Sequence, residues 1–201
     1  MEQREGGGQL GVGTRLLATL PVGAHVSVTG PLGQGFPLHV PGRPVLIAGG
    51  RGVAPLLMLA DALADAGRPC DFIFGARTAS LLVGLEEART RLARSGGVLH
   101  LATDDGSLGF RGNVVECLAS LRAGLDDTLV VHACGPHVML GGLARWGMAH
   151  GVSTWLAMES QMACGTGVCR GCPLPRSASA REAVRALGAE AAALKGNPEY
   201  A

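Results

Sequence analysis

The sequence predicts an α/β fold: a five-stranded parallel sheet, doubly wound by helices, over residues 44–160, preceded by the remnant of a β-barrel (1–43) and followed by a small Cys-rich loop region with a divergent tail (161–201). Three observations predict it. Short runs that are apolar throughout recur along the chain, stretches with helical periodicity separate them, and turns bearing glycine or proline follow the first and fourth runs. Strands that are apolar on both sides need cover on both faces, and helices between successive parallel strands supply it.

Residues 9–40 are short apolar stretches cut by Gly and Pro, among which Ala24–Thr29 alternates as a half-buried strand does. This reads as the tail of a small β-domain. Pro31-Leu32-Gly33-Gln34-Gly35-Phe36-Pro37 punctuates it, and Pro41-Gly42-Arg43-Pro44 reads as a linker. Val45–Ala48 is the first buried strand, and a helix over 54–66 places Leu56, Leu57, Leu59, Ala60 and Leu63 on one side. Asp71–Gly75 is a second strand, 80–94 a helix, Val98–Ala102 a strand, 113–122 a helix, Leu129–Ala133 a strand, 137–150 a helix and Val152–Ala157 a last strand. Ala- and Leu-rich helices are expected over 178–195, without an obvious core of their own.

Composition excludes several functions. A 47% hydrophobic share with a net charge of +1 is not that of a disordered chain. The same small charge, with only 3% aromatic residues, offers neither the field nor the stacking surface that nucleic acid requires. No apolar run approaches the roughly 20 residues of a membrane-spanning helix. Met1–Gly8 lacks the apolar core of a secretory signal, so a reducing cytoplasm is the expected location.

Gly49-Gly50-Arg51-Gly52-Val53-Ala54-Pro55 leads from the first strand into a helix. Such a turn puts bare N–H groups and the positive end of a helix at the strand's C-terminal edge, where a phosphate is favoured. Pro55 suits the first helical turn, whose N–H groups have no intrahelical acceptor. A tight turn without ligand is the competing reading, since the G-x-G-x-x-G pattern is absent. Ala133-Cys134-Gly135-Pro136 follows the fourth strand and should lie at the same edge, although Cys134 also reads as a small buried hydrophobe.

Of the six cysteines, Cys164, Cys169 and Cys172 form a C-x4-C-x2-C set threaded with glycine. Plant-type [2Fe–2S] clusters use this spacing plus a distant fourth Cys. Zinc is the rival, and it too wants four ligands. No Cys or His follows Cys172, so the fourth ligand is unidentified. Cys70 and Cys117 sit in apolar settings and read as core residues.

Together these motifs resemble the electron-transfer subunits of dihydroorotate dehydrogenase, within the ferredoxin reductase superfamily. The resemblance runs from about Gly11 to Cys172 through Gly13-Thr14, Gly30–Phe36, Gly49–Pro55, Thr103-Asp104-Asp105-Gly106-Ser107, Ala133–Pro136 and Glu159–Gly165 with the two later cysteines. It implies an NAD(P)H-dependent flavin and iron–sulfur oxidoreductase subunit. Gly13 and Thr14 would touch FAD, Gly49, Gly50, Gly52 and Pro55 would form the nicotinamide-nucleotide turn, and Cys134, Gly135 and Pro136 would lie by the nicotinamide and flavin rings, Cys134 in a catalytic position. Cys164, Cys169 and Cys172 would bind the [2Fe–2S] cluster. Hydride would pass from the nicotinamide to the flavin, which releases electrons singly to the cluster and on to an FMN-containing dehydrogenase partner in pyrimidine biosynthesis. Because family members carry a longer barrel and a fourth cysteine, the FAD site is expected to be partial and the chain a shortened form.

Two other functions are consistent with the residues. The same module could serve a hydrogenase, a sulfite reductase or a ferredoxin:NADP oxidoreductase assembly, or the chain could be a non-enzymatic nucleotide- or zinc-binding fragment. Arg77 lies where a base could meet a ribose 2′-phosphate, but a solvated loop Arg reads equally well, so NADH and NADPH stay open. Thr103–Ser107 reads as a strand-end turn, and Glu159 as a solvated carboxylate or a proton carrier.

Overall fold

The computed structural model describes residues 11–30, 32, 35–125, 128–158, 164–166, 168 and 169. The apolar runs form a parallel sheet of strands β1 (Arg43–Gly49), β2 (Asp71–Ala76), β3 (Val98–Thr103), β4 (Phe110–Arg111), β5 (Leu129–Cys134) and β6 (Ser153–Ala157), in the order β4-β3-β2-β1-β5-β6. The sheet therefore has six strands, not five. The extra one, β4, pairs with β3 through only Phe110 and Arg111, too short a run to carry any hydrophobic periodicity.

Helices α2 (Val53–Asp65), α3 (Leu85–Ser95), α4 (Val114–Leu121) and α5 (His137–His150) connect the strands, with bounds close to those expected. They divide between two faces. Leu46, Ala48, Phe72 and Phe74 pack under α2 and α3, whereas Val45, Ile47, Ile73, Val131 and Ala133 pack under α4 and α5. Alternate residues of β1 and β2 thus feed two cores, which is why those strands are apolar without a break. Each large side chain so buried contributes about 1.5–3 kcal/mol. Cys70 and Cys117 are buried, one in each core.

Local chemistry sets the register. Asn113 and Glu116 close a capping box on α4: Val115 N and Glu116 N donate to Asn113 Oδ1, and Asn113 N donates to Glu116 Oε2. A β-carbon on Gly75 would collide with Val114 Cγ1, so α4 lies hard against β2. At the N-terminal edge, Arg43 of β1 donates to Asp71 of β2 through Nε at 2.6 Å and Nη2 at 3.1 Å, with Asp71 3% exposed.

The strand expected at Ala24–Thr29 is corrected. Among the described residues, 11–40 contain no strand: Val12–Thr19 is a helix (α1) and 24–30 is irregular and exposed. The alternation of Ala24–Thr29 has no neighbouring strand to pair with there, and a lone strand leaves its backbone groups unpaired. The helices expected over 178–195 lie outside the described residues. Among the described residues, no helix is long and apolar enough to cross a membrane.

Candidate functional site

Strand order reverses between β1 and β5, which are adjacent yet far apart in sequence. Connections leave these strands in opposite directions, toward α2 on one face and α5 on the other, opening a crevice at the C-terminal edge. Gly49, Gly50, Gly52 and Pro55 lie on one side of that crevice, and Cys134, Gly135 and Pro136 on the other. Ala48 and Cys134 are register partners.

The two turns touch through backbone. A β-carbon on Gly52 would collide with the Cys134 carbonyl, one on Gly49 would come within 2.6 Å of Met139 Sδ and 2.8 Å of Pro136 Cδ, and one on Gly135 would come within 2.6 Å of Met139 Cε and 3.0 Å of Gly49 Cα. These glycines serve the approach of the turns to each other. Gly50 differs: its φ is +52° and none of the described residues lies within 4 Å of its β-carbon position, so its backbone faces open space among them. Met139 had no signal in the sequence. It lies one turn into α5 and wedges beneath both glycine turns.

Helices α2 and α5 start at this crevice from Gly52 and Pro136, without a side-chain cap and without an acidic residue in the first turn. Val53 N, the first of α2, donates back to Gly50 O and Arg51 O within the turn that precedes it, so what the two helices offer an anion is the positive end of each dipole, without the capping box that closes α4. Pro55, the third residue of α2, removes an N–H that has no intrahelical acceptor. Cys134 is a buried thiol outside any disulfide.

The other expected site residues lie elsewhere. Gly13 and Thr14 occupy the first turn of α1, both exposed, and none of the described residues lies within 4 Å of a β-carbon on Gly13. Cys164 and Cys169 are exposed in a loop with Gly165 at φ +67°. Hydrogen bonding from the Thr166 side chain, then from Cys169 and the Thr166 backbone, pulls the Cys164 thiol down to about 5. A loop that turns donors toward a sulfur in this way suits a thiolate ligand of a metal centre. Cys172 and Glu159 lie outside the described residues. Leu32 Cδ1 lies 3.9 Å from the β-carbon position of Gly165, so the N-terminal segment and the cysteine loop adjoin. Thr103–Ser107 is a strand-end turn: Asp105 accepts from Ser107 N at 3.0 Å and from Ser107 Oγ at 2.6 Å, and Ser107 Oγ accepts from Ala79 N.

A doubly wound parallel sheet with paired turns at its switch point defines a nucleotide-binding oxidoreductase class, and the family model for the oxidoreductase NAD-binding domain matches residues 46–145. The electron transfer subunit of dihydroorotate dehydrogenase B (NAD(+)) from Geobacillus thermodenitrificans is 38% identical over 82% of this chain and 61% of its own length. The corresponding subunit from Clostridium acetobutylicum is 32% identical over 88% of this chain and 67% of its own. A solved structure of an NADH-dependent reduced ferredoxin-NADP oxidoreductase matches with a TM-score of 0.67 and 30% identity, over 78% of this chain and 55% of that one. The chain belongs to the family of dihydroorotate dehydrogenase B electron transfer subunits, and it spans 61% of the length of the first of these relatives.

Proposed function

We propose that the chain is the nucleotide- and cluster-bearing part of an electron-transfer oxidoreductase. It would bind a nicotinamide nucleotide between the Gly49–Pro55 and Cys134–Pro136 turns, carry a [2Fe–2S] centre on Cys164, Cys169 and Cys172, and contribute Gly13 and Thr14 to an FAD site. The partner would be a catalytic dehydrogenase subunit of the FMN-containing dihydroorotate type. The observation that carries this reading is the contact of the two glycine turns at the switch point, with Gly50 facing open space and two uncapped helices aimed at it.

The bound groups would supply a hydride at the nucleotide and its division into single electrons at the flavin and cluster. The protein's part is binding and orientation. The positive dipole ends of α2 and α5 would receive the nucleotide phosphates, and Gly50 would let them approach the backbone. Cys134, buried at the end of β5, would present a small apolar wall beside the reacting ring and exclude water. Cys164 is held as a thiolate at neutral pH and can ligate iron without first losing a proton.

The test is anaerobic titration of the chain, reconstituted with FAD, iron and sulfide, with NADH. Bleaching of flavin and cluster absorbance, with two irons bound per chain, is expected. Zinc without iron, or no spectral change with NADH, overturns the reading. A second reading keeps the module and changes the partner to a ferredoxin:NADP oxidoreductase assembly, favoured by the 30% identity to that solved structure. Co-purification with a dihydroorotate-oxidising subunit decides between them.

A further inference from the structure

The loop after α2 carries a residue that neither the motifs nor the nucleotide edge employs. Gly67, at φ +67°, ends the helix: Gly67 N donates to Ala64 O and Arg68 N to Leu63 O, which swings the Arg68 side chain off the helix axis. Its guanidinium then donates to three main-chain carbonyls of another segment: Nη1 to Leu38 O, and Nη2 to Val40 O at 2.7 Å and Gly42 O at 2.8 Å. The segment bends at Leu38 and again at Pro41-Gly42, where Gly42 has φ +107°, and its three carbonyls converge on the one guanidinium. Arg68 thus takes the place of a neighbouring strand for a segment without one, satisfying in a single fork three acceptors that would otherwise lack donors.

The segment is tied at both ends. At its downstream end a β-carbon on Gly42 would lie 3.1 Å from Thr128 O, and Arg43 N donates to that same carbonyl at 3.0 Å. At its upstream end the Phe36 ring meets His132 of β5 edge-on, with centroids 5.5 Å apart and planes at 84°. Phe36 and Leu38 are only partly buried against a core that α2 and α3 already close over β1 and β2. Residues 36–42 therefore run as a strap over the β5 part of that face. Beyond them, Leu32 adjoins the cysteine loop at Gly165.

We propose that Arg68 is a positioning residue: by clamping residues 38–42 it fixes where the N-terminal segment and the adjoining cysteine loop sit relative to the nucleotide crevice. Its catalytic consequence rests on the function proposed above; the clamp itself does not. Lysine is a poor substitute, because an ammonium is a point donor and cannot span three separate carbonyls.

The test compares the 201-residue chain with Arg68→Met and Arg68→Lys by limited thermolysin proteolysis read by mass spectrometry. Cleavage within 36–42, on the N-terminal side of Leu38, should be at least about tenfold faster in both variants, because charged donors make strong hydrogen bonds and a released segment enters a protease cleft. Cleavage within β1, β2 and β5 should stay within about twofold of the parent, since the core closes without the strap. Unchanged cleavage at 36–42 overturns the proposal. So does acceleration of strap and sheet together, which would make Arg68 a residue of general stability. In the FAD- and iron-loaded chain, kcat for NADH-dependent dye reduction should fall at least about fivefold with KM for NADH unchanged, as expected when bound groups are misplaced but the binding edge is intact. A raised KM with unchanged kcat also overturns it. Should the parent chain show no NADH reaction at all, the proposed function fails, and the proteolysis result alone decides the clamp.

Discussion

The carbonyl oxygen of Cys134 occupies the space that a β-carbon on Gly52 would need. Two turns more than 80 residues apart in sequence thus form one backbone surface at the sheet edge. Glycine in a β-to-α turn is usually credited to the ligand. Here Gly49, Gly52 and Gly135 belong to the contact between turns, and Gly50 is the position open to a ligand.

Gly52→Ala should therefore cost about 1–3 kcal/mol, the usual penalty of overpacking, and should also weaken NADH binding by parting the turns. Gly50→Ala should cost about 1–2 kcal/mol through its left-handed backbone alone, because it meets no neighbour among the described residues. Urea unfolding of both variants, with NADH fluorescence titration, checks the pair. A Gly52→Ala chain that binds NADH like the parent contradicts the shared surface.

Arg43 and Asp71 tie β1 to β2 at the opposite edge, with the Asp71 side chain 4% exposed and the Arg43 side chain 33%. Removing the arginine leaves a buried carboxylate without its counter-ion, a loss of about 3–5 kcal/mol in fully buried pairs. Partial exposure of Arg43 puts Arg43→Met nearer about 2 kcal/mol, by the weakening of exposed pairs. Replacing both residues with apolar ones should recover part of that loss, and a double-mutant cycle in urea measures it.

His132 is 1% exposed, and among the described residues neither ring nitrogen has a hydrogen-bond partner. Burial holds it below its ordinary 6.5, with a smaller push from the Arg68 charge; the Pro37 carbonyl pulls the other way without meeting hydrogen-bond geometry. Because the unfolded chain takes up this proton more readily than the folded one, His132 destabilises the fold as pH drops below 6.5 toward its folded value. His132→Leu should flatten that decline, which a single proton limits to about 1.4 kcal/mol per pH unit. Urea midpoints between pH 8 and 5, roughly spanning the ordinary histidine range, would show it. Parallel curves for parent and variant would contradict it.

Cys164 and Cys70 should differ sharply toward alkylation. Hydrogen bonds pull Cys164 down to about 5, whereas burial, then the Asp71 charge, pushes Cys70 up to about 11. At neutral pH the metal-free chain should react with iodoacetamide at Cys164 and spare Cys70, as thiolate content and access dictate. Iron and sulfide reconstitution should protect Cys164, and removing the metal with a chelator should restore its reactivity. Mass mapping of the carbamidomethyl groups reads both.

The sheet and its helices were legible because burial on two faces writes a continuous apolar run into each central strand, as in Val45–Ala48 and Leu129–Ala133. Strand β4 was not legible, since a pairing of Phe110 and Arg111 has no period to detect. Nor was α1: its apolar residues Val12, Leu16 and Leu17 are exposed, and interruptions by Gly and Pro on either side resemble the texture of short strands.

Residue types and their order were enough to identify a strand-to-helix glycine turn, a second turn bearing Cys134, and a run of thiols, because each is local in the chain. Three things needed the folded sheet. The switch between β1 and β5 joins the two turns into one crevice, through the packing of Gly52 on Cys134 and of Met139 beneath Gly49 and Gly135. The donors around Cys164 make its sulfur a thiolate. Arg68 finds three carbonyls in a segment more than 20 residues upstream. The crevice and the Arg68 clamp rest on backbone groups met across a long stretch of sequence, and backbone atoms are the same in every residue, so the order of side chains carries no mark of them; the donors at Cys164 are near in sequence, and it is the loop conformation that turns them to the sulfur.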